Sequence, residues 1–271
     1  MSSPSHILPR NNLFRPAQPT PLQRFLRNPL FSLATYLYTH QPTLKHPLRI
    51  ICLSDTHNTT PPSPPGDILL HAGDLTQNGT FAEIQATPAW LSALPHPHKF
   101  VIAGNHDLVL SRAFVAAAPP RVFTTAPGTT KDDLDWGEVI YLENASASVT
   151  VRGRKVKVWG APWTPKYGNW AFQYPPGEDI WQGKIPEDAD ILVTHGPARG
   201  HLDVNGTGNA GCMHMRHELE RVKPRLVVGV LVWMWSWVRW AFGVRREATT
   251  TLVNASTVGH GGVAEGMAVE I

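Results

Sequence analysis

The sequence predicts an α/β fold, because short runs of apolar residues alternate with longer segments that have the periodicity of amphipathic helices. Four runs are four or five residues long, rich in Ile, Val and Leu, and end in a polar turn, which is typical of buried strands. They are Arg49–Leu53, Asp67–Leu70, Lys99–Ala103 and Asp190–Val193. Because ligands of such folds bind beyond the carboxyl ends of the strands, we expect the four turns to meet at one site.

Two segments of the chain are predicted to be helices. Thr80–Leu94 has an apolar face, and Gly211–Val222 ends before a proline that cannot continue a helix. The side chains expected to be buried in the first helix are Phe81, Ile84, Trp90, Leu91 and Leu94. Two further strands are predicted at Lys155–Trp159 and Thr250–Val253.

The 271 residues divide into a tail and a body. Residues 1–47 are rich in Ser, Pro and Arg and contain no acidic residue, so we predict a flexible basic tail, followed by one domain over residues 48–271. Three interpretations of the tail remain open: a flexible leader, a segment with weak membrane-surface contact, and a mitochondrial transit peptide. Apolar segments 29–38 and 226–238 are both shorter than the roughly 20 residues that span a bilayer.

The charge distribution argues against a nucleic-acid partner. The isoelectric point is about 9.0. However, six of the 24 basic residues lie within residues 1–54, which contain no acid, so the rest of the chain has 18 basic and 21 acidic residues. No basic stripe for a phosphate backbone is expected. Cys52 and Cys212 form neither a disulfide framework nor a Cys-x-x-Cys site, which favours an intracellular, cytoplasmic location.

The four polar turns carry side chains that bind divalent metal ions. Their carboxylate, imidazole and amide groups, without any thiolate, suit Mn²⁺, Fe or Zn²⁺ in an open catalytic site. Taken singly, each residue has a structural explanation, such as capping a turn. Their shared position after four strands is what indicates a site. The candidates are Asp55, His57, Asp74, Asn105, His106, Asp107 and His195.

The order of these motifs, Asp-x-His, Gly-Asp, Gly-Asn-His-Asp and His-Gly, resembles that of the calcineurin-like metallophosphoesterase superfamily. Longer segments are similar to its metallophosphoesterase-domain-containing (UPF0046-type) branch, among them Gly66–Asp74, Trp159–Pro165 and Val253–Thr257. The resemblance covers about residues 48–271. It implies two packed central β-sheets flanked by helices, and hydrolysis of a small phosphoester: a phosphodiester such as a cyclic nucleotide, or a phosphomonoester.

The resemblance also implies a role for each motif residue around two divalent metal ions. Asp55 and His57 would hold the first ion, Asp74 would bridge both, and Asn105 and His195 would hold the second. His106 would lie beside the scissile phosphate, and Asp107 would orient His106.

The family's final Gly-His-x-His motif is missing from this sequence. Gly229 is followed by Val230 and Val232 where two histidines are expected, and a Trp-rich run, 233–240, comes next. Valine has no lone pair for a metal ion. Three interpretations remain open: divergence to a protein that binds metal or nucleotide with little or no turnover, a shifted reading frame over residues 227–237, and replacement of the missing ligands by His201, His214, His217 or His260.

Two further aromatic features allow more than one interpretation. The Trp-rich run and the basic tail together would also suit a protein that binds a membrane surface or a partner. A second group of tryptophans, in a region rich in Pro and Gly, either walls a substrate pocket or packs the loop. Its members are Trp159, Trp163, Trp170 and Trp181.

Overall fold

The structure is a computed structural model that describes Pro29 and residues 47–120, 123–200, 203–205, 208–229, 250–255, 258–259, 262–263 and 267–271. Nearly all of the predicted tail lies outside the described residues. The Trp-rich run does so too, together with Val230, Val232, His201 and His260.

The described residues form two large sheets. The first contains β1 (Arg49–Leu53), β2 (Ile68–His71), β3 (His98–Val101), β4 (Val139–Tyr141) and β16 (Met267–Glu270). Their order is β16-β1-β2-β3-β4. Strands β1 to β4 are parallel, whereas β16 pairs with β1 in the antiparallel direction.

The second sheet repeats this plan in the order β13-β12-β9-β6-β5. Its first four strands are parallel, and β5 is an antiparallel edge strand on β6. The strands are β5 (Ala145–Val151), β6 (Arg154–Ala161), β9 (Ile191–Thr194), β12 (Leu226–Gly229) and β13 (Thr251–Asn254).

Alternating residues of the strands build the layers of the fold. In β1, Ile50 and Cys52 point towards the second sheet and share a buried core with residues such as Val158 and Ile191. Leu53 instead packs with Ile84 on the outer face of the first sheet. Because successive side chains of a strand point to opposite faces, each sheet has one face for the other sheet and one for a helix.

In the described part of the chain, three α-helices flank the sheets: α1 (Phe81–Ser92), α2 (Arg112–Ala117) and α3 (Met213–Val222). Helix α1 packs on the first sheet and α3 on the second. The prediction of two packed sheets flanked by helices is therefore confirmed. Short strand pairs complete the fold: β7 (Thr164–Pro165) with β8 (Gln173–Tyr174), β10 (Val204–Asn205) with β11 (Gly208–Asn209), and β14 (Val258–Gly259) with β15 (Gly262–Val263).

The buried face of α1 differs in part from the prediction. Ile84 and Leu91 are buried as expected, but Phe81, Trp90 and Leu94 are only partly buried. The buried positions include Thr87 and Pro88, which complete the spacing i, i+3, i+4, i+7 from Ile84. A count of apolar residues alone misses this stripe, because it passes over a threonine and a proline.

The cysteines and the apolar segments were the other features considered in the sequence. Cys52 and Cys212 are free and buried, as expected for a chain without a disulfide framework. Within the described ranges, no helix is long and apolar enough to cross a membrane.

Candidate metal centre

The polar turns that follow β1 and β2 are bonded to each other through their backbones. The amide of Asp55 donates to the carbonyl of Gly73 (3.0 Å), and that of His57 donates to the carbonyl of Asp74 (3.1 Å). Asp55, His57 and Asp74 have positive φ angles of 53°, 44° and 53°. This left-handed conformation is uncommon in residues other than glycine and is found at functional sites.

Asp74 lies at the centre of the arrangement. One of its oxygens, Oδ2, is 3.7 Å from Nε2 of His57, and the other, Oδ1, is 3.4 Å from Nε2 of His195. Oδ1 also accepts a hydrogen bond from the backbone amide of His106 (2.9 Å). Asn105 joins through its Oδ1, which is 2.9 Å from Nε2 of His195. Five of the seven predicted residues thus meet around one carboxylate.

The hydrogen bonds of the two histidines fix which ring nitrogen faces Asp74. Nδ1 of His57 lies 3.2 Å from the carbonyl of Thr76, and Nδ1 of His195 lies 2.8 Å from the carbonyl of Ala72. A carbonyl only accepts, so Nδ1 donates in both rings and Nε2 carries the lone pair of the neutral imidazole. This is the arrangement by which proteins orient histidine ligands of metal ions.

Nε2 of His195 is surrounded by oxygen atoms that can only accept hydrogen bonds, and such a group of acceptors favours the binding of a cation. The oxygens of Asp74 and Asn105 are within 3.4 Å of this nitrogen. Burial lowers the pKa of His195, but the charges of Asp74 and Asp55 outweigh it and hold the pKa above its ordinary value. Positive charge is therefore stabilised at this point, as a proton or as a metal ion.

Asp55 provides an independent test of whether the site suits a metal ion. Its Oδ2 is buried and has no hydrogen-bond partner among the described residues. Burial, only partly offset by His195, raises the pKa of its carboxyl group. A buried acceptor left without a donor costs about 1–3 kcal/mol or more, and a coordinated cation would satisfy it. The donors therefore fit a divalent ion.

His106 stands within ligand distance of the same centre. One donor atom each of His57, Asp74 and His106 lie within 4.8 Å of one another. Since Nδ1 of His106 is 2.8 Å from the carbonyl of Gln77, Nε2 is the nitrogen that remains available. The His106 ring also meets the His57 ring edge-on, with centroids 4.8 Å apart.

Asp107, which the resemblance expects to orient His106, has a carboxylate whose hydrogen bonds go to the neighbouring turns. Its carboxylate is fully buried and accepts four hydrogen bonds, from the amides of Leu75, Thr76 and Gly104 and from the hydroxyl of Thr76. Burial, and then the charge of Asp74, raises its pKa. Asp107 thus holds together the turns that carry Asp74 and Asn105, and it reaches His106 only through Thr76 and the neighbouring Gln77 carbonyl.

Two glycines allow the turns to come this close. Gly73 has a φ of +95°, and a Cβ there would lie 2.6 Å from the carbonyl oxygen of Ala103. A Cβ on Gly104 would overlap both the amide and the carboxylate of Asp74 and would lie 2.7 Å from the His195 ring. Both glycines belong to the recognised motifs, but their steric role depends on contacts between turns that the sequence does not reveal.

The site also uses groups that sequence reasoning did not single out. The carbonyls of Ala72, Thr76 and Gln77 orient the three histidine rings. Because every residue type has a backbone carbonyl, no side-chain signal in the sequence could have identified them.

Two of the four proposed replacement histidines can be located. Nδ1 of His214 is 3.1 Å from Asp179, and its Nε2 is 3.2 Å from the carbonyl of Gly177. His217 lies next to it, with ring centroids 6.4 Å apart. Neither belongs to the metal-ligating group found in the described part of the chain. His214 and His217 therefore do not supply the missing ligands in this conformation.

The end of β12 explains why the missing motif matters. Gly229 pairs with Thr194 of β9, the residue directly before His195. Strand β12 therefore ends next to the residue that precedes His195, and the sequence continues with Val230, where the resemblance places the first of the two missing histidines.

Of the four tryptophans that were expected either to wall a substrate pocket or to pack the loop, three do the second. Trp159 and Trp181 are buried in the core under α3, and Trp163 is partly buried with its Nε1 2.7 Å from Asn144. These three pack the structure. Trp170 is exposed and stacks on His106, with ring centroids 4.2 Å apart. Only Trp170 therefore borders the site.

His71, behind the site, allows a prediction about pH. It is fully buried, and its Nε2 is 3.0 Å from the hydroxyl of Thr56. Burial, followed by the charges of His195 and His57, lowers its pKa from 6.5 to about 3. Between these values only the unfolded chain binds the proton, so stability is lost as the pH falls.

We expect the stability advantage of the wild type over a His71→Gln variant to shrink by about 1.4 kcal/mol per pH unit below about pH 6. Urea unfolding of both proteins with a chelator present, at pH 7, 6, 5 and 4.5, measures this difference. A difference that stays constant over this range would show that His71 becomes protonated in the folded protein.

Histidines and carboxylates gathered at the carboxyl ends of strands from two packed sheets form a candidate site for divalent metal ions. The chain belongs to the calcineurin-like phosphoesterase family, whose sequence model matches residues 48–233. Within this family of metal-dependent phosphoesterases, the relatives described next place it in the metallophosphoesterase-domain-containing (UPF0046-type) branch.

Three relatives illustrate the similarity. Human metallophosphoesterase domain-containing protein 1 is 37% identical over 223 residues, which are 77% of this chain and 65% of that protein. A UPF0046 protein of Caenorhabditis elegans is 32% identical over 232 residues, 81% of this chain and 78% of that protein. A protein of Emericella nidulans named probable rhamnogalacturonate lyase C is 42% identical over 214 residues, 76% of this chain but 19% of that protein. The lyase name describes a much longer protein, of which the matched segment is only a small part.

Proposed function

We propose that the protein hydrolyses a small phosphoester through two divalent metal ions, with a phosphodiester such as a cyclic nucleotide preferred to a monoester. The observation that carries the proposal is the placement of Asp74, whose two oxygens face His57 on one side and His195 on the other. A carboxylate shared in this way suits a bridge between two cations, because its charge screens their repulsion.

Side chains of the described residues would supply ligands for both ions. Asp55, His57 and Asp74 would hold the first, and Asp74, Asn105 and His195 would hold the second. Manganese, iron and zinc all suit this mixture of carboxylate, imidazole and amide donors. When bound, such a pair supplies a water-derived nucleophile at neutral pH and neutralises charge on the phosphoryl oxygens.

His106 would act on the substrate. Its Nδ1 donates to the carbonyl of Gln77, which leaves Nε2 available. In the imidazolium form, the Nε2 proton would stabilise the charge of the phosphoryl group or pass to the leaving oxygen. Its backbone amide is bonded to Asp74, which keeps it next to the centre. Asp107 would contribute by holding the turns on which Asp74 and Asn105 stand.

The alternative is a diverged member of the family that binds metal or nucleotide with little or no turnover. The observation that favours it is the register of Gly229 with Thr194, the residue before His195, together with the valine that follows Gly229 in the sequence where a histidine is expected. Each ion would then have one protein ligand fewer than in the family pattern.

We expect the protein to hydrolyse bis-p-nitrophenyl phosphate with added Mn²⁺, and a chelator to abolish the reaction until excess Mn²⁺ is restored. The release of p-nitrophenol measures the rate, and bound metal per chain, near two or near one, distinguishes the two candidates. Turnover that persists in the chelator would contradict a metal-dependent mechanism.

Absence of turnover in a protein shown to be folded would favour the diverged member. The double variant Val230→His/Val232→His then tests the cause. Activity gained by this variant would show that the two missing ligands alone limit the site, and continued inactivity would reject the hydrolytic proposal for this chain.

A further inference from the structure

Trp170 is a large aromatic side chain that the fold leaves 38% exposed. Among the described residues, only Tyr167 and Met213 are large hydrophobic side chains with comparable exposure. Trp170 and Tyr167 both lie in the loop that joins β7 to β8. Burial in the core therefore does not account for an indole ring at this position.

The contact that Trp170 makes is with His106. The two rings are nearly parallel, with an interplanar angle of 25° and centroids 4.2 Å apart. The other neighbours of the imidazole are the Gln77 carbonyl, which binds Nδ1, and the edge of the His57 ring. One hydrogen bond fixes the direction of one ring atom but leaves the ring free to tilt, because the χ2 torsion of histidine is broad. The stack fixes the plane.

The loop that carries Trp170 is firmly attached to the segment that carries His106. The amide of Ala171, a buried residue, donates to the carbonyl of Asn105 (3.2 Å). Phe172 is buried in a left-handed conformation with a φ of 52°. Such a conformation costs a bulky residue about 1–3 kcal/mol and persists only where the surroundings enforce it.

The loop backbone at Gly168 also lies close to the indole ring of Trp170. A Cβ on Gly168 would lie 3.0 Å from Cδ1 and Nε1 of Trp170. Gly168 therefore lets the chain fold tightly against the edge of the ring. Together with the strained turn at Phe172, this indicates a loop shaped to hold the indole in one place.

We propose that Trp170 is a positioning residue that holds the His106 imidazole in the plane in which Nε2 faces the substrate at Asp74. The inference deepens the proposed function and rests on it, because the action of His106 on substrate belongs to that function. A His106 ring free to tilt would still be present beside the centre but would spend less time in the productive orientation.

The kinetic test uses the full chain with Mn²⁺ and bis-p-nitrophenyl phosphate. We expect Trp170→Ala to lower kcat by about 10-fold to 100-fold with KM changed by less than about 3-fold, since misplacing a catalytic group affects the transition state more than binding. Trp170→Phe keeps a stacking ring and should stay within about 3-fold of the wild-type kcat. Trp136→Ala is the matched control, because Trp136 stacks in the same manner on Tyr141 (4.8 Å, 15°).

Three kinetic results would overturn the proposal. They are an unchanged kcat in Trp170→Ala, a raised KM with unchanged kcat, and a Trp170→Phe variant as defective as Trp170→Ala. The second would make Trp170 a wall for the substrate, and the third would require a contact that only indole makes.

A second readout does not depend on turnover. In NMR spectra of the zinc-loaded protein, the ring protons of His106, assigned by their loss in His106→Gln, should lie upfield because of the stacked indole. They should move downfield in Trp170→Ala and stay near their wild-type position in Trp136→Ala. If neither the wild type nor the Val230→His/Val232→His variant shows turnover, the proposed function fails but the positioning of His106 is still tested. Unchanged His106 signals in Trp170→Ala would overturn it.

Discussion

Replacement of Asp74 by alanine is expected to abolish metal-dependent hydrolysis and to lower the bound metal per chain. The reason is that its two oxygens face His57 and His195 separately, so one substitution would remove a ligand from both of the proposed ions. Metal activation is worth several kcal/mol in the transition state, so we expect a loss of about 1,000-fold or more. Initial rates with Mn²⁺, together with metal analysis of the dialysed protein, measure both effects.

Two companion variants sharpen the Asp74 experiment. Asp74→Asn keeps an oxygen that can accept the His106 amide hydrogen bond but removes the charge, and it should be nearly as inactive as Asp74→Ala. Asp188→Ala is the control, because Asp188 is an exposed carboxylate bonded to Lys157 at the surface. An Asp74→Ala protein with wild-type activity and metal content would refute the assignment of this centre.

Replacement of Gly104 by alanine should have the next largest effect, although it adds one methyl group. The new Cβ would overlap the Asp74 amide and carboxylate, and the backbone on both sides belongs to turns fixed by Asp107. Overpacking of this kind costs about 1–3 kcal/mol of stability, and more where the backbone cannot move. The shift of Asp74 should weaken Mn²⁺ binding by about 100-fold.

Titration calorimetry with Mn²⁺ and urea unfolding test the Gly104 prediction. Gly128→Ala serves as the control, since a Cβ there meets nothing within 4 Å although its φ is +76°. It should reduce stability by about 1 kcal/mol through backbone strain and leave Mn²⁺ binding unchanged. Equal Mn²⁺ affinity in Gly104→Ala and the wild type would mean that the turns can separate without disturbing the ligands.

The positions of the main strands were predictable because each is short, apolar and followed by polar residues. The strand predicted at Asp67–Leu70 lies at Ile68–His71, and the strand predicted at Lys99–Ala103 lies at His98–Val101. The polar turns follow these strands, as the pattern predicted. The pattern is reliable here because parallel strands buried on both faces must be continuously apolar.

What the sequence could not predict depends on contacts between distant segments. Asp107 was expected to orient His106, but the sequence did not indicate that its carboxylate accepts hydrogen bonds from the amides of the Asp74 turn. A buried carboxylate takes as many donors as it can reach. The stack of Trp170 on His106 has the same origin, because it depends on the path of a loop 64 positions further along the chain. Residue types indicate what can bind a metal ion, whereas the supporting contacts follow from the fold.

The centre takes its donors from both sheets, since Asp74 follows β2 of the first and His195 follows β9 of the second. In addition, Nδ1 of His195 is bonded to the carbonyl of Ala72, the residue directly after β2. An ion held by residues from both sheets would link the two sheets, and its binding free energy would add to the stability of the folded state. Resistance to unfolding would then rise with the logarithm of the free ion concentration above the dissociation constant. Loss of metal would therefore lower the stability of the fold as well as the catalytic rate.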